Sequence, residues 1–200
     1  MAFGPEDRVL DIGCGSGYIA ALLAPRVQEY WGLDTSPRFI SQCRARLVDE
    51  PKATFEVLPH DDYFDFSQAP KGHFNKVICV GVVPLYPKVE DVGRLMETVR
   101  EMITPEARMI ITDFVLNGSI LKDVWGSIMG GIKYECLGEK LKLLWGASTT
   151  EYLKQRRLEK ILSFTKNELE YALSGYGVAG RLIKGQLGMN TQRWHIFYQF

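Results

Sequence analysis

The chain has no excess of either charge: 24 Lys and Arg balance 24 Asp and Glu. Neutralising nucleic-acid phosphates usually leaves a basic excess, so no nucleic-acid partner is expected. The densest basic cluster, Lys154, Arg156, Arg157 and Lys160, is diluted by Glu151 and Glu159 and reads as the solvated face of a helix. Cysteine is scarce and scattered. Cys14, Cys43, Cys79 and Cys136 show no paired metal-ligand spacing, which predicts a reducing cytoplasmic setting, no disulfides and no metal site. No apolar run approaches the length of a membrane span, and Pro5-Glu6-Asp7-Arg8 interrupts any hydrophobic leader. Repeats and low-complexity linkers are absent too. Two hundred residues at 46% hydrophobic then predict one domain, 1–200, with a substantial core, as a monomer or homodimer.

What is present starts at Val9-Leu10-Asp11-Ile12-Gly13-Cys14-Gly15-Ser16-Gly17-Tyr18. An apolar run closes on an acid, opens into a glycine-rich turn and continues as a helix. That strand–turn–helix carries a nucleotide at the first crossover of an open α/β sheet. Asp34 ends a second apolar stretch, Tyr30-Trp31-Gly32-Leu33, about 20 residues on, where an acid can take the hydroxyls of a ribose. A dinucleotide fingerprint needs a third glycine at position 18, which is Tyr here. The acid at Asp11 would also repel a pyrophosphate. It suits a ligand with a cationic amino-acid end and no phosphate, which points to S-adenosylmethionine.

Val9 to Ala20, with Trp31-Gly32-Leu33-Asp34-Thr35-Ser36, resembles the first motifs of the class I, seven-β-strand methyltransferases. The resemblance implies S-adenosylmethionine as cofactor, held by Asp11, Gly13, Cys14, Gly15 and Gly17 at the methionine part and by Asp34 and Thr35 at the ribose. It implies that an acid after the third strand, Asp61 or Asp62, accepts from the adenine amino group, and that backbone at Val80 and Gly81 touches the methionine end.

The order of elements follows from periodicity and punctuation. Strands are predicted from Arg8, then at Glu29–Leu33, Thr54–Leu58, Lys76–Val80 and Arg108–Phe114, separated by helices. One helix ends before Pro25, another is capped by Ser36 with Pro37 at its first position, and a third spans about Val89 to Ile103. Such alternation gives a parallel sheet covered on both faces. A helical region then runs from about Ile120 to Leu162, and Thr165 caps a further helix through Leu173. Val178–Ile183 and Trp194–Phe200 read as an antiparallel pair across a Gly-rich loop. The fold class is therefore α/β, a doubly wound seven-stranded, mostly parallel sheet. The resemblance adds an antiparallel last strand, order 3-2-1-4-5-7-6, and a helical lid insert, about 119–162, between strands five and six.

The acceptor side is less explicit. Methyltransferases of exocyclic amines carry an Asn or Asp among prolines after strand four. Here Val83-Pro84-Leu85-Tyr86 offers no acceptor side chain, which counts against such substrates. A small-molecule acceptor is predicted, with oxygen as the receiving atom. The rival readings are a catalytically silent cofactor-binding subunit and a protein or RNA methyltransferase. Asp113, at the carboxyl end of strand five, is the candidate general base, since His60, His73 and His195 have weaker positions. Tyr86, Trp125, Tyr134 and Trp145 are the candidate substrate-binding residues.

Overall fold

In the computed structural model the described residues are 1–116, 120–133, 138, 162–173, 182–185 and 192–200. Along them run β1 (Arg8–Ile12), α1 (Tyr18–Leu23), β2 (Glu29–Asp34), α2 (Pro37–Arg46), β3 (Ala53–Val57), β4 (Phe74–Val80) and α3 (Glu90–Met102). They continue with β5 (Ile103–Leu116), α4 (Ile120–Lys133), β6 (Ser163–Phe164), α5 (Lys166–Leu173), β7 (Leu182–Lys184) and β8 (Trp194–Gln199).

The strand order is β3-β2-β1-β4-β5-β8-β7, and the two-residue β6 pairs beside the path with β5. The pairs from β3 to β5 are parallel, and β8 runs antiparallel to both β5 and β7. This is the predicted topology, with the last two strands renumbered by the insertion of β6.

Alternation along the strands divides the core in two. In β1, Leu10 and Ile12 join one buried cluster with Leu95, Met96 and Val99 of α3. Val9 joins the other with Tyr30, Ala20 of α1, and Ile40 and Cys43 of α2. Side chains three and four apart on α3 (Val92, Leu95, Met96, Val99, Met102) are all buried, the stripe that a helix presents to a sheet. Each such side chain stabilises the fold by about 1.5–3 kcal/mol before entropy is counted.

The helix starts follow from their caps. Ser36 Oγ accepts from Phe39 N–H at 3.3 Å, with Pro37 in the first turn. Thr165 and Glu168 form a reciprocal box, Glu168 N–H to Thr165 Oγ1 at 3.2 Å and Thr165 N–H to Glu168 Oε2 at 2.7 Å.

Two elements differ from the sequence reading. β5 begins at Ile103 rather than Arg108, with a register shift against β4 between Phe74 and Lys76. Thr104-Pro105-Glu106-Ala107 is drawn into the strand, Glu106 taking φ +63°. Of the predicted helical region, Ile120–Lys133 is helix, and residues 139–161 lie outside the described residues. Of the Gly-rich loop predicted at Gly185 to Asn190, all but Gly185 also falls outside them.

Candidate active site

The carboxyl ends of β1, β2 and β4 open onto a cavity of about 510 Å³, at the crevice where ligands bind in open α/β sheets. Gly13, Gly15, Asp34, Thr35, Val80, Gly81 and Tyr86 of the predicted site residues all line it. Its remaining lining includes Phe39, Leu58, Tyr63, Val82 and Leu85.

The glycine turn is built from backbone that side chains disfavour. Gly13, Gly15 and Gly17 have φ of +72°, +55° and +80°. A Cβ on Gly13 would lie 2.2 Å from Val82 Cγ2, whereas one on Gly15 would meet nothing within 4 Å. Gly13 and Cys14 N–H both donate to Leu33 O, at 2.8 and 3.0 Å, which ties the turn to the end of β2.

Asp34 stands where that tie ends. Its Oδ2 accepts from Gly15 N–H at 2.9 Å, and its Oδ1 from Ser36 N–H at 2.8 Å. Two backbone donors thereby fix the plane of the carboxylate. Each oxygen keeps a lone pair for a ligand, since a carboxylate offers about four acceptor positions. Paired acceptors at this spacing match a vicinal diol and repel a phosphate.

Asp11 departs from the sequence reading. Its side chain points to the α1–α2 face, is 1% exposed and does not line the cavity. Tyr30 Oη donates to its Oδ2, while Oδ1 is buried with no partner among the described residues. Desolvation raises its pKa from 3.8 to about 7; the Tyr30 hydrogen bond opposes the shift and the Asp34 charge adds to it. The predicted direct contact with a cationic amino group is thus replaced by a place behind the turn. Cys14 and Gly17 are likewise buried behind it.

After β3, Asp61 and Asp62 are exposed and neither lines the cavity. Asp62 Oδ1 accepts from Phe64 N–H at 3.2 Å and lies 3.5 Å from Arg94. That local turn brings Tyr63 inward instead. Its ring stacks on Tyr86, with centroids 5.6 Å apart and an interplanar angle of 19°. Tyr86 is buried, so it forms the foundation of this wall. The sequence reading missed Tyr63, Phe39 and Leu58. An aromatic directly after two turn acids, and one at the third position of a capped helix, were the available signals.

Asp113 sits on an irregularity. The register between β5 and β8 shifts between Ile111 and Phe114, and Asp113 takes φ +67°, a strained value for a non-glycine residue. Thr112 Oγ1 donates to its Oδ2 at 2.9 Å, His195 Nδ1 accepts from its N–H at 3.4 Å, and Arg193 donates to its carbonyl at 3.3 Å. Its Oδ2 would lie 3.8 Å from a Cβ on Gly81, so the carboxylate stands beside a residue that lines the cavity, while Asp113 itself does not line it. Burial lowers the His195 pKa, against a pull from Asp113. Trp125 is 60% exposed on α4 and does not line the cavity. Tyr134 and Trp145 lie outside the described residues. Among the described residues no metal-ligand cluster is present, and no helix is long and apolar enough to cross a membrane.

Residues 9–106, which contain the turn, Asp34 and the β4 end, match a family model described as a methyltransferase domain. Over those residues the chain is similar to the methyltransferase domain family. Similarity extends to individual proteins. The chain is 30% identical over 116 residues to chondramide synthase cmdD of Chondromyces crocatus, covering 56% of this chain and 3% of that protein. Over 108 residues it is 31% identical to protein-L-isoaspartate O-methyltransferase 2 of Nitrosococcus oceani, covering 54% and 44%. It thus spans less than half the length of the first curated relatives it matches. The methyltransferase fold extends further. Magnesium protoporphyrin IX methyltransferase from Synechocystis PCC 6803, solved with bound S-adenosylhomocysteine, superposes with a TM-score of 0.61 at 16% identity, covering 98% of this chain and 74% of that one.

Proposed function

We propose that the chain binds S-adenosylmethionine and transfers its methyl group to the oxygen of a small-molecule acceptor. The observation that carries this reading is Asp34, whose two oxygens are held by Gly15 and Ser36 N–H at the mouth of a cavity floored by glycine backbone. The surrounding residues fit the cofactor. Gly13 and Gly15 offer backbone, and Gly15 open space, for the methionine part, with Val80 and Gly81 beside it, and Thr35 flanks the ribose. Leu58, Phe39 and Tyr63 offer apolar surfaces for a planar base; Asp61 or Asp62, exposed beside the cavity lining and not in it, is the proposed partner of its amino group. When bound, the cofactor supplies a methyl group already activated on a cationic sulfur.

The protein's own task is then to hold the acceptor in line and to exclude water, which can lower a barrier by about 7–11 kcal/mol. Asp113 is the proposed general base. Thr112 holds one of its oxygens, and the other accepts no hydrogen bond among the described residues, leaving it for the acceptor's proton. Tyr86, Trp125, Tyr134 and Trp145 remain the proposed acceptor contacts, Trp125 only if α4 moves over the cavity. The absence of an amide or carboxylate side chain in Val80–Pro87 supports oxygen over an exocyclic amine. The similarity to protein-L-isoaspartate O-methyltransferases favours, as a second reading, a protein carboxylate as the accepting oxygen.

The test is incubation with methyl-labelled S-adenosylmethionine and separate panels of small hydroxyl, carboxyl and amine compounds and of aged proteins. Label in small hydroxyl compounds, read by mass spectrometry, is the expected result. Label confined to aged protein would replace the first reading by the second.

A further inference from the structure

The glycine turn has a buried back. Cys43, on α2, is fully buried, and its Sγ donates to Gly15 O at 3.1 Å. Cys14 Sγ approaches the same oxygen at 3.9 Å. Cys43 Sγ would also stand 2.9 Å from a Cβ on Gly17, so the thiol is wedged beneath the turn and only glycine leaves it room. Burial raises the pKa of both thiols, which keeps them protonated as donors and unreactive as nucleophiles.

A carbonyl held from behind fixes what faces forward. The peptide joining Gly15 to Ser16 is planar and trans, so Ser16 N–H points opposite to Gly15 C=O. The carbonyl is drawn toward the buried thiols. The N–H is thereby turned away from the thiols; Gly15 itself lines the cavity, and a Cβ on it would meet nothing within 4 Å. Ser16 N–H has no partner among the described residues. The neighbouring Gly15 N–H is already committed to Asp34.

We propose that Cys43, backed by Cys14, is a positioning residue that orients the Gly15–Ser16 peptide so that Ser16 N–H binds the carboxylate at the amino-acid end of the cofactor. This rests on the S-adenosylmethionine reading and adds a residue to it. Chemistry selects the carboxylate: a backbone N–H cannot serve a cationic amine, and Asp34 is arranged for the ribose hydroxyls.

Two ligands separate this role from general support of the fold. S-adenosylhomocysteine carries the amino-acid end; methylthioadenosine has the same base, ribose and thioether without it. By titration calorimetry, Cys43→Ala weakens S-adenosylhomocysteine on the order of tenfold, the scale of one lost hydrogen bond, and leaves methylthioadenosine unchanged. Cys43→Ser, which restores a donor, recovers most of that loss. Equal weakening of both ligands, no weakening, or a serine variant no better than alanine would overturn the proposal. A parent that binds methylthioadenosine but not S-adenosylhomocysteine would overturn it and leave the nucleoside site standing; a parent that binds neither removes both. Should Cys43→Ala not fold, amide NMR of the parent decides: the Ser16 proton shifts downfield with S-adenosylhomocysteine and not with methylthioadenosine, and an unmoved Ser16 signal overturns the idea.

Discussion

Asp34 concentrates the chemistry of the site in one carboxylate, and its substitution gives a sharp expectation. Asp34→Ala removes two acceptors from the proposed ribose contact and should weaken S-adenosylhomocysteine by about 1–3 kcal/mol, as for hydrogen bonds to a charged group. Unchanged affinity by calorimetry would remove the ribose assignment. Asp11 gives the opposite kind of prediction, one of stability. Its folded pKa of about 7 exceeds the ordinary 3.8, so the folded state holds a proton that the unfolded chain releases. The contribution is full below pH 3.8 and is lost as pH rises to about 7. Asp11→Asn should flatten that part of the curve and be more stable relative to the parent above pH 7, measured by urea unfolding across pH. A parallel pair of curves would contradict the buried, raised carboxyl. Gly13, Gly15 and Asp34 were legible because their roles lie in backbone geometry and in the end of a strand. The direction of Asp11 was also available, since period-two alternation from the buried Leu10 and Ile12 sends it to the opposite face. Tyr63 was signalled only as an aromatic after two turn acids: which of three consecutive residues in a turn points inward is settled by contact with Tyr86, further along the chain.

At the scale of elements, β5 and α4 carry what punctuation did not foretell. The shift between Ile111 and Phe114 and the φ of +67° at Asp113 depend on β8 and the residue before it, which contribute His195 and Arg193 from 80 residues or more away. Glycine adopts that φ without cost, so Asp113→Gly should fold at least as well as the parent while losing the carboxylate. With an acceptor in hand, it should lower turnover by about 10²–10⁴-fold, the range of a general base, at unchanged cofactor affinity. A loss below tenfold would mean that positioning alone suffices. The Thr165 cap was readable from sequence, its reciprocal partner Glu168 came from the structure, and the pair stands apart from the cavity. Thr165→Ala should cost about 1 kcal/mol of stability with ligand affinity unaltered, read by urea unfolding and calorimetry. On α4, Trp125, Met129 and Ile132 recur at helical spacing and are exposed at 60%, 37% and 54%. The lid role proposed for this helix predicts slower hydrogen exchange over 120–133 when cofactor and acceptor are both bound. Exchange there indifferent to ligand would assign the stripe elsewhere.

For the whole molecule, alternating strands and helices were enough to give a two-faced parallel sheet, because each apolar strand needs cover on both sides. The position of the antiparallel strand between β5 and β7 came from family resemblance and not from residue pattern, since pairing order leaves little trace in a single strand's sequence. That order places the carboxyl ends of β1, β2 and β4 around one crevice, and the account stands on what the crevice holds. Calorimetric titration of the parent with S-adenosylhomocysteine and, separately, with nicotinamide dinucleotide is the most direct test. The account predicts saturable, one-to-one binding of the first and none of the second; binding of the dinucleotide without S-adenosylhomocysteine would contradict it.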